Sequence, residues 1–411
     1  MRILYIHQYF ATKRGRTGTR SLEQALAMQA SGHEVTMLTS SAQLLDDEIP
    51  SGKGIIRRGV VAGIPAIVLH IRYDQEMGYL SRICAFLKFM FLACWIVLTM
   101  PRVDLVYASS TPLTIGVPAM AGKLLRSIPY FFEVRDLWPD IPVALGVVPS
   151  GLPATLLRGA ELAIYRHART VVPLNPDMAR EISRKTHNRK KLVIVPNACD
   201  IHVFSPELRD GELRHACGLD DKIICIHAGA LGKVNHLDDV LDAAELLKDD
   251  PRLSFVLVGE GNQKARLKAD AQRRGLSNVL FLDAISKSRL SGFLADCDIG
   301  LMTVAHVPEL QWNCANKLCD YLASGLPIVL NYRGWHGALV ADHQCGLSAR
   351  QGDIAGFAEA IRRLADDSEL RGSFSLAARG VAETEMNRQT LVARLMTELE
   401  QFQETLEEHR N

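Results

Sequence analysis

Lys317 and Asp320 stand three positions apart in the stretch Asn316-Lys317-Leu318-Cys319-Asp320-Tyr321-Leu322-Ala323-Ser324-Gly325-Leu326-Pro327, and what they can do depends on what that stretch becomes. Leu318 and Leu322 recur at helical spacing, Gly325 is a helix stop, and Ile328-Val329-Leu330 reads as a buried strand, so a helix is expected to open near Asn316. A lysine in a first turn opposes the helix macrodipole. It makes sense there if an anion is also bound by the roughly four free N–H groups of that end. Asp320, one turn below, would then hold a hydroxyl beside the anion. The plain alternative is a solvated polar face on an ordinary α/β helix.

Two more stretches carry reactive side chains after predicted strands. Between His7 and Arg20, Gly15 and Gly18 permit close backbone approach, while Lys13, Arg14, Arg16 and Arg20 could meet phosphate. Open α/β sheets bind ligands at such strand ends. The loop is no GxGxxG fingerprint, which argues against a nicotinamide site, and a solvated basic loop is the other reading. After Tyr130–Val134, the residues Glu133, Arg135, Asp136 and Asp140 crowd together. Asp136 would suit acid/base work or the holding of a sugar hydroxyl, and Trp138 offers a flat apolar face beside it. An Asp136–Arg135 ion pair that merely orders the turn is the alternative.

The elements that must position these groups alternate regularly. Strand signals at Ile3–His7, Val35–Thr39, Ala66–Ile71, Leu105–Ser109, Tyr130–Val134, Thr170–Pro173 and Val193–Val195 are separated by helical stretches. A second series runs through Ile223–His227, Phe255–Val258, Val279–Leu282, Ile299–Thr303 and Ile328–Asn331. The fold class expected is α/β, with two doubly wound domains at 1–205 and 206–385, a polar linker over 206–219, and a C-terminal helix over 386–411. The length of 411 residues suffices for two such cores, and 48% apolar with 23% charged residues describes a globular protein. A net charge of +1 gives no sign of a nucleic-acid partner. Nine cysteines without a CxxC pair point to reduced thiols and a cytoplasmic setting, and Met1-Arg2-Ile3 runs into a strand without a signal-peptide pattern.

In order and spacing, Gly15-x4-Arg20-x2-Glu23, Ser31-Gly32-His33-Glu34-Val35, Arg135-Asp136-Leu137-Trp138-Pro139, Ala144-Leu145-Gly146, Glu161-x3-Tyr165, Val195-Pro196-Asn197-Ala198-Cys199-Asp200, Gly259-Glu260-Gly261 and the Asn316–Pro327 stretch resemble the retaining GT-B glycosyltransferases of family four. Within it they resemble the bacterial branch typified by fucosamine transferases of O-antigen assembly. The resemblance implies two Rossmann-like domains facing across a cleft, with the acceptor on the N-terminal half and a nucleotide sugar, UDP-linked in that branch, on the C-terminal half. Many members carry two glutamates with seven residues between them; here Trp312 and Asp320 occupy those positions. The family's Arg and Lys of the loop after the first C-domain strand align with Ala230 and Asn235.

On that resemblance Lys233, Lys317, the Asn316 and Leu318 helix end, and the Gly229 to Gly232 backbone would carry the leaving diphosphate. Asp320 would take the ribose, the backbone at Ala284 and Ile285 the base, and Asp136, with Lys233 and Lys317, would complete the catalytic set. Gly15, Arg16, Gly18, Arg20 and Trp138 would face a polyprenyl-diphosphate-linked saccharide. No metal and no other cofactor is expected, and His7, His227, His306 and His336 read as core or surface groups. A UDP-sugar epimerase and a non-catalytic sugar-nucleotide-binding homologue are the alternatives. Ile83–Met100 has Lys88 as its sole charge and borders on a transmembrane candidate. Because strands of one sheet flank it, it is expected to lie on the inner face of the cytoplasmic membrane, helped by Arg72 and Arg82.

Overall fold

The computed structural model describes residues 1–15, 18–71 and 77–408; Arg16 and Arg72 fall outside them. The chain divides into two compact units, Met1–Pro196 with Val392–Asn411, and Asn197–Leu391. The stretch 206–219 is therefore no joint, since its turn at Pro206–Leu208 and helix at Glu212–Ala216 lie inside the second unit.

The first unit holds β1 (Arg2–Ile6), β2 (Glu34–Ser40), β3 (Ile56–Val61), β4 (Ile64–Leu69), β5 (Leu105–Ser109), β6 (Tyr130–Val134), β7 (Thr170–Pro173) and β8 (Lys191–Leu192). They form one sheet in the order β3-β4-β2-β1-β5-β6-β7-β8, parallel except for the β3–β4 hairpin. Strands β5, β6 and β7 are buried from end to end, as helices on both faces require. The pattern at Val193–Val195 pairs instead as the shorter β8, with the Val193 and Val195 N–H groups still donating to Val171 and Pro173. In the helix Arg388–Glu408, Leu391, Leu395, Leu399 and Phe402 are all buried. Phe402 meets Phe131 edge-on at 5.5 Å, and Glu398 accepts the Thr170 hydroxyl at 2.9 Å.

The helix Tyr79–Thr99 buries Ala85, Phe89, Ala93, Ile96 and Val97 on one side, and leaves Leu87, Phe91 and Trp95 40%, 65% and 62% exposed on the other. Its segment Ser81–Thr99 is long and apolar enough to cross a membrane, and only 28% of it is buried. Strands β4 and β5 on either side of it belong to one sheet.

The second unit holds β9 (Ile223–Ala228), β10 (Leu253–Val258), β11 (Val279–Leu282), β12 (Ile299–Met302), β13 (Ile328–Leu330) and β14 (Gly346–Ser348). Their order is β11-β10-β9-β12-β13-β14, with every pairing parallel. Both units are Rossmann-like, and strand order reverses at the β1/β5 gap of one and the β9/β12 gap of the other, the places where open α/β sheets bind ligands.

The helix Asn316–Ala323 is pinned to the second sheet by Tyr321. Its hydroxyl accepts the Ala228 N–H at 2.8 Å, and a Cβ on Gly300 would come within 2.6 Å of its ring. The hydroxyl contacts leave the ring little freedom to retreat. Gly300→Ala should therefore lower the unfolding free energy by about 1–3 kcal/mol, the usual scale of overpacking. An unchanged urea midpoint in this variant would show that the ring has room to move.

Candidate functional site

The groups with the most unusual electrostatics in the second unit collect beside the carboxyl ends of β9 and β12. Lys317, in the first turn of its helix, donates from Nζ to Asn235 Oδ1 at 2.8 Å, and Asn235 Nδ2 donates to the Ala230 carbonyl at 2.6 Å. A Cβ on Gly229 would lie 3.9 Å from that Nζ, and Gly229 has φ +148°. The lysine thus rests on the backbone of the loop after β9, where a side chain would crowd it. Two further bonds fix the helix end: Asn197 Nδ2 to the Cys314 carbonyl at 2.6 Å and Cys319 Sγ to the Asn197 carbonyl at 3.3 Å.

Burial lowers the Lys317 pKa to about 7. No carboxylate pairs with it among the described residues. Its charge is felt by two buried histidines, His227 and His336, which burial first and Lys317 second keep neutral; His336 is pushed down to about 3. Asp320, one turn below, is raised to about 7 by burial, with Lys287 opposing and Asp200 adding to the rise. An anion here would restore the charge on Lys317, and a hydroxyl donor would steady the Asp320 carboxylate.

The donor-side backbone forms a row. A Cβ on Gly259 would stand 1.9 Å from the Gly229 oxygen, and one on Gly261 2.3 Å from the Leu231 oxygen. The loops after β9 and β10 therefore touch backbone to backbone, which accounts for the Gly259-Glu260-Gly261 motif. Glu260 reaches the next loop, accepting the Ala284 N–H at 3.4 Å, while Lys264 bonds both Glu260 and Asp283. Gly229, Gly232, Ala284 and Ile285 thus occupy neighbouring loops. Asn316 is exposed at the helix end. Leu318 is a core residue at 0% exposure whose N–H bonds the Ala315 carbonyl, so neither its side chain nor its N–H is offered to a ligand. Lys233 is exposed at the start of the turn Lys233–Asn235, and it is Asn235 that grips Lys317.

In the first unit the carboxylates separate instead of crowding. Glu133 points inward at 0% exposure and accepts from Arg20 Nε and Nη2 (3.0 and 2.8 Å), Gln24, Tyr107 and Ser109. Burial alone would raise its pKa, but Arg20, Arg135 and these donors outweigh it and hold it at about 2. Arg20 also donates to the Val195 and Pro196 carbonyls, so four of its five N–H groups tie the interior of this unit together. Asp140 pairs with Lys185 and Arg158. Arg135 meets His7 Nε2 at 3.2 Å rather than Asp136. That leaves Asp136 exposed, accepting the Thr111 hydroxyl at 2.8 Å, with Trp138 partly buried beside it. Gly15 closes a turn onto the Thr12 carbonyl, and Gly18 is exposed.

Residues 17–198 match the family described as Glycosyl transferase 4-like domain, and residues 212–381 that described as Glycosyl transferases group 1. The chain is similar to the Escherichia coli (strain K12) protein named for a glycosyl transferase role in colanic acid biosynthesis: 30% identity over 176 residues, 41% of this chain. That alignment spans 43% of the relative's length. It is 26% identical to the GDP-mannose-dependent alpha-mannosyltransferase of Mycobacterium tuberculosis (strain CDC 1551 / Oshkosh) over 67% of each chain. Of solved structures, Anabaena HepE in complex with UDP-glucose superposes with a TM-score of 0.70 over 98% of this chain and 100% of that one, at 18% identity. This likeness shows the fold, GT-B.

The raised pKa of Asp320 has a signed consequence. The folded protein holds the proton up to about pH 7, whereas an unfolded aspartate releases it near pH 3.9. The carboxylate therefore destabilises the ligand-free fold by an amount that grows between those two pH values and is constant above them. Asp320→Asn should raise the melting temperature, most at pH 8 and least below pH 4. A gain that does not change with pH would contradict the assignment.

Proposed function

We propose that this chain is a group 1 glycosyltransferase that moves a sugar with retention from a nucleoside-diphosphate donor to a polyprenyl-diphosphate-linked saccharide in bacterial polysaccharide assembly. One observation carries the reading: Lys317, half-buried and without a carboxylate partner among the described residues, is held by Asn235 at the β9/β12 gap with Asp320 one turn below. The leaving diphosphate develops charge as the bond to the anomeric carbon breaks, and a preorganised cation and helix end in a dry site stabilise that charge most where it develops. Lys317 takes that role, Lys233 approaches from the exposed turn, and the Gly229 to Gly232 backbone and Asn316 close around the phosphates. Asp320 holds the ribose hydroxyls, and the backbone at Ala284 and Ile285 meets the base. Asp136, exposed beside Trp138, serves the acceptor hydroxyl. In this mechanism protein groups, not a metal ion, meet the diphosphate charge.

A UDP-linked, N-acetylated deoxysugar donor fits the branch that the motifs resemble. Anabaena HepE was solved with UDP-glucose, while the mycobacterial relative is named for GDP-mannose, so both bases belong in the test. Radiolabelled UDP- and GDP-sugars are offered with and without lipid-linked acceptor in vesicles. The expected result is acceptor-dependent transfer with the anomeric configuration kept. In Lys317→Met it should fall by about 10²–10³, the scale of losing one transition-state donor, while free uridine or guanosine binds as before. Acceptor-free isomerisation would instead indicate an epimerase, and binding without turnover a non-catalytic homologue.

The acceptor implies a cytoplasmic membrane surface, and the first unit has a face suited to it. The exposed Leu87, Phe91 and Trp95 line one side of the helix Tyr79–Thr99, and Leu124 and Leu125 are 57% and 71% exposed on the helix Gly116–Arg126 packed against it. The adjoining Lys123 lines a concavity of about 460 Å³ with Arg166, Arg169, Arg189, Lys190 and Lys191. Apolar side chains next to clustered cations are the composition of an interfacial contact with anionic lipid. Phe91→Ser with Trp95→Ser should remove the protein from the floating fraction of anionic liposomes while nucleotide binding persists. A wild type that never floats would overturn this part of the reading.

A further inference from the structure

We infer that His236, Asp239 and His306 form a binding site for one divalent transition-metal ion, zinc by ligand preference, separate from the groups that meet the diphosphate. His236 Nδ1 lies 3.0 Å from Asp239 Oδ1, His306 Nε2 lies 2.8 Å from Asp239 Oδ2, and the three donor atoms all fall within 4.8 Å of one another. In a tetrahedral zinc site, metal–ligand bonds of about 2.0–2.2 Å place ligands roughly 3.3–3.5 Å apart. Rotation of the two imidazoles would bring the set toward that spacing. Two nitrogens and one carboxylate oxygen suit zinc better than magnesium or calcium, which take mainly oxygen ligands.

The surroundings are those of a prepared site. The Asp239 side chain is 1% exposed and anchored from behind by Asn331 Nδ2, 2.6 Å from Oδ2, the kind of outer contact that orients a metal-binding carboxylate. His236 has φ +43° and ψ 58°, a left-handed conformation that residues with a β-carbon seldom adopt. That backbone turns its ring toward Asp239 and His306. The two rings lie 4.6 Å apart, tilted by 36°, on either side of the Asp239 carboxylate that each contacts. The His236 and His306 side chains are 34% and 40% exposed, which leaves the fourth ligand position to water.

The site clips two loops together. His236 follows the loop after β9, and His306 belongs to the loop after β12, which also bonds it through Thr303 Oγ1 to the Asn235 carbonyl and the Ala305 N–H to the Val234 carbonyl. Since Asn235 holds Lys317, a bound ion would steady the lysine's support without touching it.

The test uses untagged, chelator-treated full-length protein, titrated with zinc chloride by calorimetry and followed by thermal melting. The wild type should bind one equivalent with micromolar or tighter affinity and melt higher with zinc. His236→Gly deletes a ligand while relaxing the left-handed backbone, so it keeps the loop foldable; His306→Ala deletes the exposed ligand. Each should weaken zinc binding more than tenfold and abolish the rise in melting temperature. The cobalt(II) form of the wild type should show the intense visible bands of a four-coordinate ion. No stoichiometric zinc in the wild type, or undiminished binding in both variants as thiol sites elsewhere would give, overturns the proposal.

Discussion

A lysine that loses most of its water and gains no carboxylate among the described residues must be held in place by geometry, and much of the second unit is arranged to hold Lys317. The helix that carries it is fixed by Tyr321 on Ala228, and the ring of Tyr321 sits where Gly300 has no side chain. The loop beneath it comes close because Gly229 and Gly259 touch backbone to backbone. Asn235 then offers a neutral carbonyl oxygen, which orients the ammonium without cancelling its charge. A glutamate in that position would be a stronger partner and a poorer design, because a competing anion would first have to displace it.

The two units treat buried charge in opposite ways. In the first, Glu133 is fully dry but receives five donor contacts from four side chains, including a two-pronged arginine, so its ionised form is favoured and its role is to lock β6 to β5 and to the helix Arg20–Ala30. In the second, Lys317 and Asp320 are half-buried with little compensation, and burial moves both pKa values toward neutrality, to about 7. A matched buried pair specifies structure, whereas unmatched groups on one helix face are a standing cost that a ligand can relieve. That contrast separates the scaffold from the site more sharply than sequence position does.

The sequence patterns reveal the parallel strands because each is a continuous apolar run between helices; Leu105–Ser109, Tyr130–Val134, Thr170–Pro173 and Val279–Leu282 are found with those bounds. Strand β3 escapes such a reading, because Arg57, Arg58 and Gly59 interrupt its apolar residues at an edge exposed to water. Strand β14 is only three residues long. The helix at Asn316 is legible from its spacing and its glycine stop. The fate of Arg20 and Glu133 is not, because they lie 113 residues apart in the chain and no local pattern announces that the β6 glutamate turns inward. Lys233 was a natural choice by charge, yet the contact with Lys317 comes from Asn235, a polar residue whose value lies in its reach and its two-sided hydrogen bonding. His236 and Asp239 carry the i, i+3 spacing of a shared helical face, but nothing in the sequence places His306 beside them.

The two sheets also share a device that neither half shows alone. Each unit has a buried histidine at the carboxyl end of its first strand, His7 just after β1 and His227 within β9, and each is held neutral by burial and by a cation brought from elsewhere in the chain, Arg135 or Lys317. In the first unit the geometry fixes the tautomer. Arg135 donates to His7 Nε2, so Nδ1 carries the proton toward the Ser21 hydroxyl. A neutral imidazole can support a neighbouring cation sterically and by hydrogen bonding while leaving its charge unspent, which a carboxylate cannot do. At a gap where strand order reverses and a ligand is expected, that choice keeps positive charge available to whatever binds. In the second unit it is Asn235, not His227, that bonds the cation, so the two units share the neutral neighbour but not the bond: each sets a cation beside a group that does not cancel its charge.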